Sequence, residues 1–412
     1  MKATHLGKVI EYFNPTLSLD ENHQDWYVER PESPHQEIII SLLNDPTDAK
    51  ILFSGHLGSG KTSTINRLAL DGQIQAKFFV VKIILKDELD IFDINYTDLL
   101  VAIGNQLYQK GEQKMWLDNK LKRELDQWSA EVSNVWSITD QAQAQVEGGI
   151  GAWFLKARGL LKTGFEQKKE FRQRFEPRVP QLIEFINRII RVIETNPNAE
   201  GREVLLILED LDKPSLPTAI ELFLDRGSVI VQPQCKIIFT VPISLLYSVK
   251  FMAAGQNFAN TFTLPNFKLL ERSGGRNEEG WDCMEKIVTL RMDPRLIQSE
   301  ALKLAVETSG GVTRELIRIV HGAAVRALAT RANSIAPDHV EDSVNKRRAE
   351  YSYGLTNKDC MDILLNVHRT KELKSDKNEL LLDLLHGLYI LQYPDGPGWY
   401  GVNPIVHKLI GV

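Results

Sequence analysis

Two hydrophobic rhythms divide this chain. Between residues 50 and 265 short apolar runs alternate with stretches of helical period. Lys50–Ser54, Lys77–Leu85, Glu203–Leu208, Cys235–Val241 and Thr261–Leu264 read as strands. Lys77–Leu85 is so continuously apolar that both of its faces must be covered, as in a parallel sheet. Tyr96–Gln109 and Pro180–Glu194 instead repeat apolar residues every three or four positions, the period of an amphipathic helix. Strands alternating with helices predict an α/β domain around a parallel five-stranded sheet.

From about residue 281 the pattern becomes wholly helical, over Trp281–Arg291, Ser299–Thr308, Thr313–Ala332, Pro337–Arg348 and Lys358–Leu365. It then changes once more. A helix over Asp376–Leu388 precedes apolar Tyr389–Tyr393, the turn Pro394–Gly398 and Trp399–Asn403, which is helix followed by hairpin. These shifts predict four parts: a polar, proline-punctuated N-terminal arm over 1–48, a core over 49–268 with an insertion at 113–180, a helical lid over 269–350, and a winged-helix-like ending over 351–412.

Composition narrows the classes. A hydrophobic content of 43% and a charged content of 25% are those of a globular protein. A net charge of −5 argues against a surface built throughout to hold nucleic acid, although a local basic patch remains compatible with it. Cys235, Cys283 and Cys360 are far apart, with no C-x-x-C spacing, and read as free thiols of a reducing compartment. No apolar segment follows Met1, and no run is long enough to span a bilayer, so the expected location is cytoplasmic, with no transmembrane segment. The insertion is unusual. Trp116, Trp128, Trp136 and Trp153 lie in it, out of seven tryptophans in all, followed by a basic tract over Lys156–Arg178. That pattern fits an amphipathic element on a membrane surface, or an element packed on its own domain or a neighbouring subunit.

The sharpest chemistry is the octet Gly55-His56-Leu57-Gly58-Ser59-Gly60-Lys61-Thr62, which satisfies the phosphate-binding pattern G-x-x-x-x-G-K-[ST]. It stands where that pattern must stand, after an apolar strand and before a helix opened by Ser63. Its glycines let the backbone curl so that successive N–H groups face a phosphate chain at a helix N-terminus. Lys61 supplies charge for the β- and γ-phosphates, and the Thr62 hydroxyl is a ligand for Mg²⁺. Hydrolysis also needs acids at a strand end, and Glu209-Asp210 follow the third strand. By position Glu209 serves the metal and Asp210 orients the attacking water. That order inverts the usual Asp-then-Glu pair, and the shorter base suggests slow turnover. Thr240, at the tip of the fourth strand, is placed to bond the water or the γ-phosphate. Ser309-Gly310-Gly311-Val312-Thr313-Arg314 puts Arg314 in the first turn of a helix, where the dipole disfavours a cation unless an anion faces it. A surface ion pair with Glu315 is the alternative.

P-loop, acidic third strand, polar fourth-strand tip, S-G-G-x-x-R lid and terminal helix–hairpin together resemble AAA+ and STAND-type ATPases, among them archaeal-type replication initiators and bacterial KAP-type NTPases. Leu208-Glu209-Asp210-Leu211-Asp212-Lys213 is similar to the KAP pattern D-D-L-D-R. The resemblance implies ATP and Mg²⁺ as cofactors and an ATPase that works as a switch, with a nucleotide-dependent homo-oligomer or an effector protein as partner, in bacterial defence or signalling. It equally implies the alternative of a DNA-acting initiator or transposition regulator. The trans-acting arginine of such ATPases has no match on Ile243–Phe258, which carries only Lys250, so Arg226, Arg272 and Arg276 are the candidates. Between 342 and 412 nine basic residues face nine acidic ones, which favours the switch over a DNA-gripping module.

Overall fold

The computed structural model describes residues 2–133, 149–163, 165–251, 255–355, 357–375, 378–394 and 398–412. They form two compact units, one of Met1–Gln36, Ser54–Leu70 and Thr263–Val412, the other of Glu37–Phe53 and Asp71–Phe262.

The second unit carries most of a five-stranded sheet. Its strands are β1 (Lys50–Gly55), β2 (Phe78–Ile84), β3 (Glu203–Glu209), β4 (Lys236–Pro242) and β5 (Asn260–Leu264), in the order β2-β3-β4-β1-β5. β3 runs parallel to both neighbours, with Ile84 of β2 opposite Glu209 and Phe239 of β4 opposite Leu208. Every residue of β1 and β4 is buried, whereas β2, at the edge of the sheet, buries Phe78, Val81 and Ile83 and leaves the residues between partly exposed, so the cover expected on both of its faces is incomplete. The expected P-loop α/β fold with a parallel five-stranded sheet is the fold observed. Two details differ from the sequence expectation. Glu209 is the last residue of β3 and does not lie beyond it. The helix expected over Ile243–Phe258 closes after Leu246, where Tyr247 N–H turns back to the Ser244 carbonyl at 3.3 Å; residues 252–254 of that expectation lie outside the described residues.

In the same unit the tryptophan-rich stretch turns inward. Trp128 and Trp153 lie 5.4 Å apart, Trp153 stands 5.4 Å from Phe175, and Trp128 stands 5.2 Å from Phe185. Trp116 packs 4.9 Å from Phe79 of β2. All three tryptophans are buried, so they cannot form the apolar face of a membrane-surface element; Trp136 lies outside the described residues. Several cations of the basic tract behind them are paired with nearby acids. Arg158 pairs with Glu88 at 3.1 Å, Lys168 with Asp90 and Asp93 at 3.3 and 2.9 Å, and Arg172 with Asp93 at 2.9 Å and with Asp98.

The first unit is helical around one core. Glu278–Thr289, Ser299–Thr308, Thr313–Ala329 and Pro337–Ser352 bury Met284, Val288, Ala305, Leu316, Val320, Ala324 and Val340 together. A short N-terminal helix, Leu6–Tyr12, joins them through Leu6, Val9 and Phe13. After Lys358–Thr370 and Asn378–His386 comes an antiparallel hairpin, β6 (Ile390–Tyr393) and β7 (Trp399–Val402), and then a further helix, Pro404–Ile410. Among the described residues no helix is long and apolar enough to cross a membrane.

Candidate nucleotide site

In the first unit the octet forms a loop leading directly into the helix Lys61–Leu70. Three glycines shape it, with φ of 148° at Gly55, 85° at Gly58 and 108° at Gly60. Values in this range exclude most side chains. Ser59 N–H donates to the His56 carbonyl at 3.1 Å and Thr64 N–H to the Gly60 carbonyl at 3.0 Å, which closes the curl. Lys61 is buried, and its Nζ donates to the Gly55 and His56 carbonyls at 2.8 and 2.9 Å. Ser59 Oγ is buried with no partner among the described residues. Leu57, Gly58, Gly60, Thr62 and Ser63 are partly exposed along the same turn.

Three other segments of this unit meet the loop. Arg314 stands in the first turn of Thr313–Ala329, as expected, and its N–H donates to the Gly58 carbonyl at 3.0 Å. A Cβ on Gly58 would lie 2.6 Å from the Cβ of Arg314, so the loop and the helix start touch backbone to backbone. Glu315 does not supply the surface ion pair that was the alternative for Arg314. Its carboxylate is buried and bonded to Arg318 at 2.9 Å and Arg347 at 2.8 Å. His56 is 1% exposed, and its Nε2 accepts from the backbone N–H of Gln392 on β6 at 2.8 Å. Nε2 therefore carries no proton; burial, reinforced by Lys61, lowers its pKa to about 3.

Arg30 was not singled out by its sequence surroundings. Its buried guanidinium donates to the carbonyls of Ser59 and Pro265 and lies 4.2 Å over the Phe267 ring. Burial lowers its pKa to about 10. No local pattern announces this residue, because the partners come from positions 59, 265 and 267.

The acidic residues belong to the second unit. Glu209 is 2% exposed, its Oε1 is unpartnered, and Lys82 Nζ on β2 stands 4.0 Å away. Burial raises its pKa to about 7, opposed by Lys82. Asp210 adopts φ of 75°, a left-handed conformation costly for any residue with a Cβ and better tolerated by Asp and Asn than by most. Its Oδ1 pairs with Lys213 Nζ at 2.5 Å, and its Oδ2 is buried without a partner. Thr240 is beside them. Its Oγ1 donates to the Leu208 carbonyl and accepts from the Leu211 N–H, both at 3.1 Å, and so clamps the backbone on either side of Glu209-Asp210. In this arrangement the Thr240 hydroxyl is engaged with the backbone around the end of β3.

The residues suit the group expected. Positive-φ glycines, a buried lysine and a hydroxyl without a hydrogen bond in the loop match a phosphate chain. In the other unit, Glu209 Oε1 and Asp210 Oδ2 are buried without a hydrogen bond, as suits oxygens that take a metal or a water. Among the described residues no group of three His, Cys, Asp or Glu side chains could hold a metal by itself. Mg²⁺ beside phosphates needs only one or two protein ligands. Of the three arginine candidates, Arg226 is tied to Glu176 at 3.7 Å and Arg276 to Glu278 at 3.1 Å and Trp281, while Arg272 is exposed.

No family model matches the sequence, and no curated protein matches it. Solved structures do resemble it. Cdc6p from Pyrobaculum aerophilum is 13% identical, with a TM-score of 0.45 over 97% of each chain. The Aeropyrum pernix ORC2 protein in its ADP form is 12% identical, with a TM-score of 0.42 over 97% of this chain and 95% of that one. The Thermotoga maritima RuvB Holliday junction branch migration motor is 12% identical, with a TM-score of 0.39 over 97% of this chain and 98% of that one. All three stand at 12–13% identity with TM-scores from 0.39 to 0.45, and no KAP- or STAND-type protein is among those named.

Proposed function

We propose that this chain binds ATP with Mg²⁺, hydrolyses it slowly, and uses the bound nucleotide to change shape. The observation that carries the reading is the P-loop itself: three glycines at positive φ between a buried strand and a helix, with Lys61 lying over them. Bound Mg²⁺ would neutralise charge on the phosphates. In this reading Gly55–Ser63 cradle the phosphates, Thr62 and Glu209 serve the metal, and Asp210 orients the attacking water. Thr240 holds the acids in place, and Arg314 answers the γ-phosphate. The tie between Asp210 and Lys213 supports slow turnover, since the base must be shared with its own cation. Because Arg314 and Gly58 are bonded through their backbones, a change in the loop is transmitted to the helix Thr313–Ala329. Light scattering with ADP and with a non-hydrolysable ATP analogue tests the switch. It requires an ATP-specific change in size or oligomeric state that Arg314→Ala loses, while ADP binding is kept.

A DNA-acting ATPase is the second reading, and the finer one nearest to the similar structures, which by their titles include an ORC1 protein in complex with DNA. In this chain several C-terminal cations are already engaged: Arg347 with Glu315 and Glu350, Arg348 with the Ile405 carbonyl, Lys374 with Glu372. Fluorescence anisotropy with duplex DNA decides between the two. Dissociation constants of roughly 10⁻⁴–10⁻⁶ M at physiological salt are the non-specific range expected of a switch, and sequence-specific nanomolar binding puts the DNA-acting reading first.

A further inference from the structure

In the first unit one buried amide makes no use of either its donor or its acceptor. Asn266 follows Pro265 just beyond β5 and is 1% exposed. Neither its Nδ2 nor its Oδ1 has a hydrogen-bond partner among the described residues. Burying an amide with all its donors and acceptors idle is costly, and native folds rarely retain one without a use.

Its surroundings point to that use. Asn266 lines a cleft together with Arg30, Phe267, Lys268 and Asn277. The Arg30 guanidinium bonds the carbonyl of Pro265, immediately before Asn266, and the carbonyl of Ser59 in the P-loop, so one cation ties the cleft to the phosphate loop. The backbone carrying Asn266 is gripped from two sides. Phe267 N–H donates to the Gly311 carbonyl at 3.1 Å, and a Cβ on Gly311 would stand 1.9 Å from the Phe267 carbonyl oxygen. A Cβ on Gly280 would likewise stand 1.9 Å from the Lys268 carbonyl oxygen. The segment is thereby fixed, and with it the position of the amide. An anion would use only the donor of such an amide and a cation only the acceptor. A planar edge carrying a donor beside an acceptor uses both.

We propose that Asn266 reads the base of the nucleotide whose phosphates the P-loop holds. Its Oδ1 accepts from the exocyclic amino group of adenine and its Nδ2 donates to the adjacent ring nitrogen, the bidentate pairing that an amide makes with this base. Arg30 is a positioning residue that keeps Asn266 in register with the loop. The inference rests on reading the P-loop as a nucleotide site. A polar site of this kind discriminates sharply, because a ligand lacking the edge leaves the protein's own buried groups unpaired.

Calorimetry on the full chain with ATP and with inorganic tripolyphosphate tests it. Asn266→Leu and Asn266→Asp should each weaken ATP binding by about tenfold and leave tripolyphosphate binding unchanged. Without nucleotide, Asn266→Leu should melt no lower than the parent, since it removes an idle buried amide. Lys61→Ala should weaken both ligands together, which separates the loop from the base. Unchanged ATP affinity in the folded variants, or an equal loss for both ligands, overturns the assignment of Asn266. A parent that binds neither ligand overturns the nucleotide reading beneath it.

Discussion

Gly58→Ala probes the join between the phosphate loop and the helix that carries Arg314. Gly58 has φ of 85°, and forcing an L-residue into the left-handed region costs about 1–2 kcal/mol. The new Cβ would sit 2.6 Å from the Cβ of Arg314, where carbon atoms prefer about 3.5–4.0 Å. The helix start must therefore retreat by about 1 Å, an overpacking that costs about 1–3 kcal/mol. The two effects together predict a loss of about 2–5 kcal/mol in an ordinary stability of about 5–15 kcal/mol. They differ in their remedy. Arg314→Gly deletes the opposing Cβ and costs about 1 kcal/mol in the parent. In the Gly58→Ala background it should recover the overpacking part and leave the dihedral part. Urea unfolding of the four proteins, followed by the fluorescence of Trp26, Trp281 and Trp399, which all belong to this unit, gives the double-mutant cycle. Expected is a favourable coupling of about 1–3 kcal/mol. Strict additivity would refute the contact and leave only the dihedral cost.

Three further outcomes are expected. Lys61→Ala should abolish ATP binding measured by calorimetry while the protein stays folded by circular dichroism, because Lys61 Nζ bonds the loop carbonyls of Gly55 and His56 and contributes charge to phosphate and little to the core. Asp210→Asn should keep ATP bound and suppress phosphate release, since Asn tolerates the left-handed backbone at this position but cannot act as a carboxylate; Glu209→Gln should instead weaken the Mg²⁺ dependence, and swapped phenotypes in a phosphate-release assay would reassign the two acids. Stability should also fall as pH rises: burial lifts Glu209 from 4.5 to about 7, so the folded form keeps a proton that the unfolded chain has released, and about 3 kcal/mol present below pH 4.5 is lost by pH 7. Urea midpoints measured across that range should slope downward in the parent and much less in Glu209→Gln.

The sequence alone determined what depends on neighbours along the chain. A buried strand, a glycine turn and a helix opening are local patterns, so β1, the P-loop and the helix Lys61–Leu70 were legible with their chemistry, as were Glu209-Asp210 at the end of a continuously apolar strand. The helices beyond residue 278 showed through their periodicity, with the starts at Ser299, Thr313 and Pro337 as expected, while the first begins at Glu278 and not at Trp281. Tertiary structure decided what depends on partners far apart in sequence. Arg30 acquires meaning only from Ser59, Pro265 and Phe267, and Asn266 only from a cleft that Arg30 shares. The first helix, Leu6–Tyr12, is too short for its period to stand out and owes its stability to the core around Val9 and Phe13. Trp128 and Trp153 advertised an apolar face whose direction no sequence pattern states, and packing turned it inward. Glu315 looked like a surface charge beside Arg314 until Arg318 and Arg347 closed over it, because a helical residue's burial is set by the elements that pack against its face.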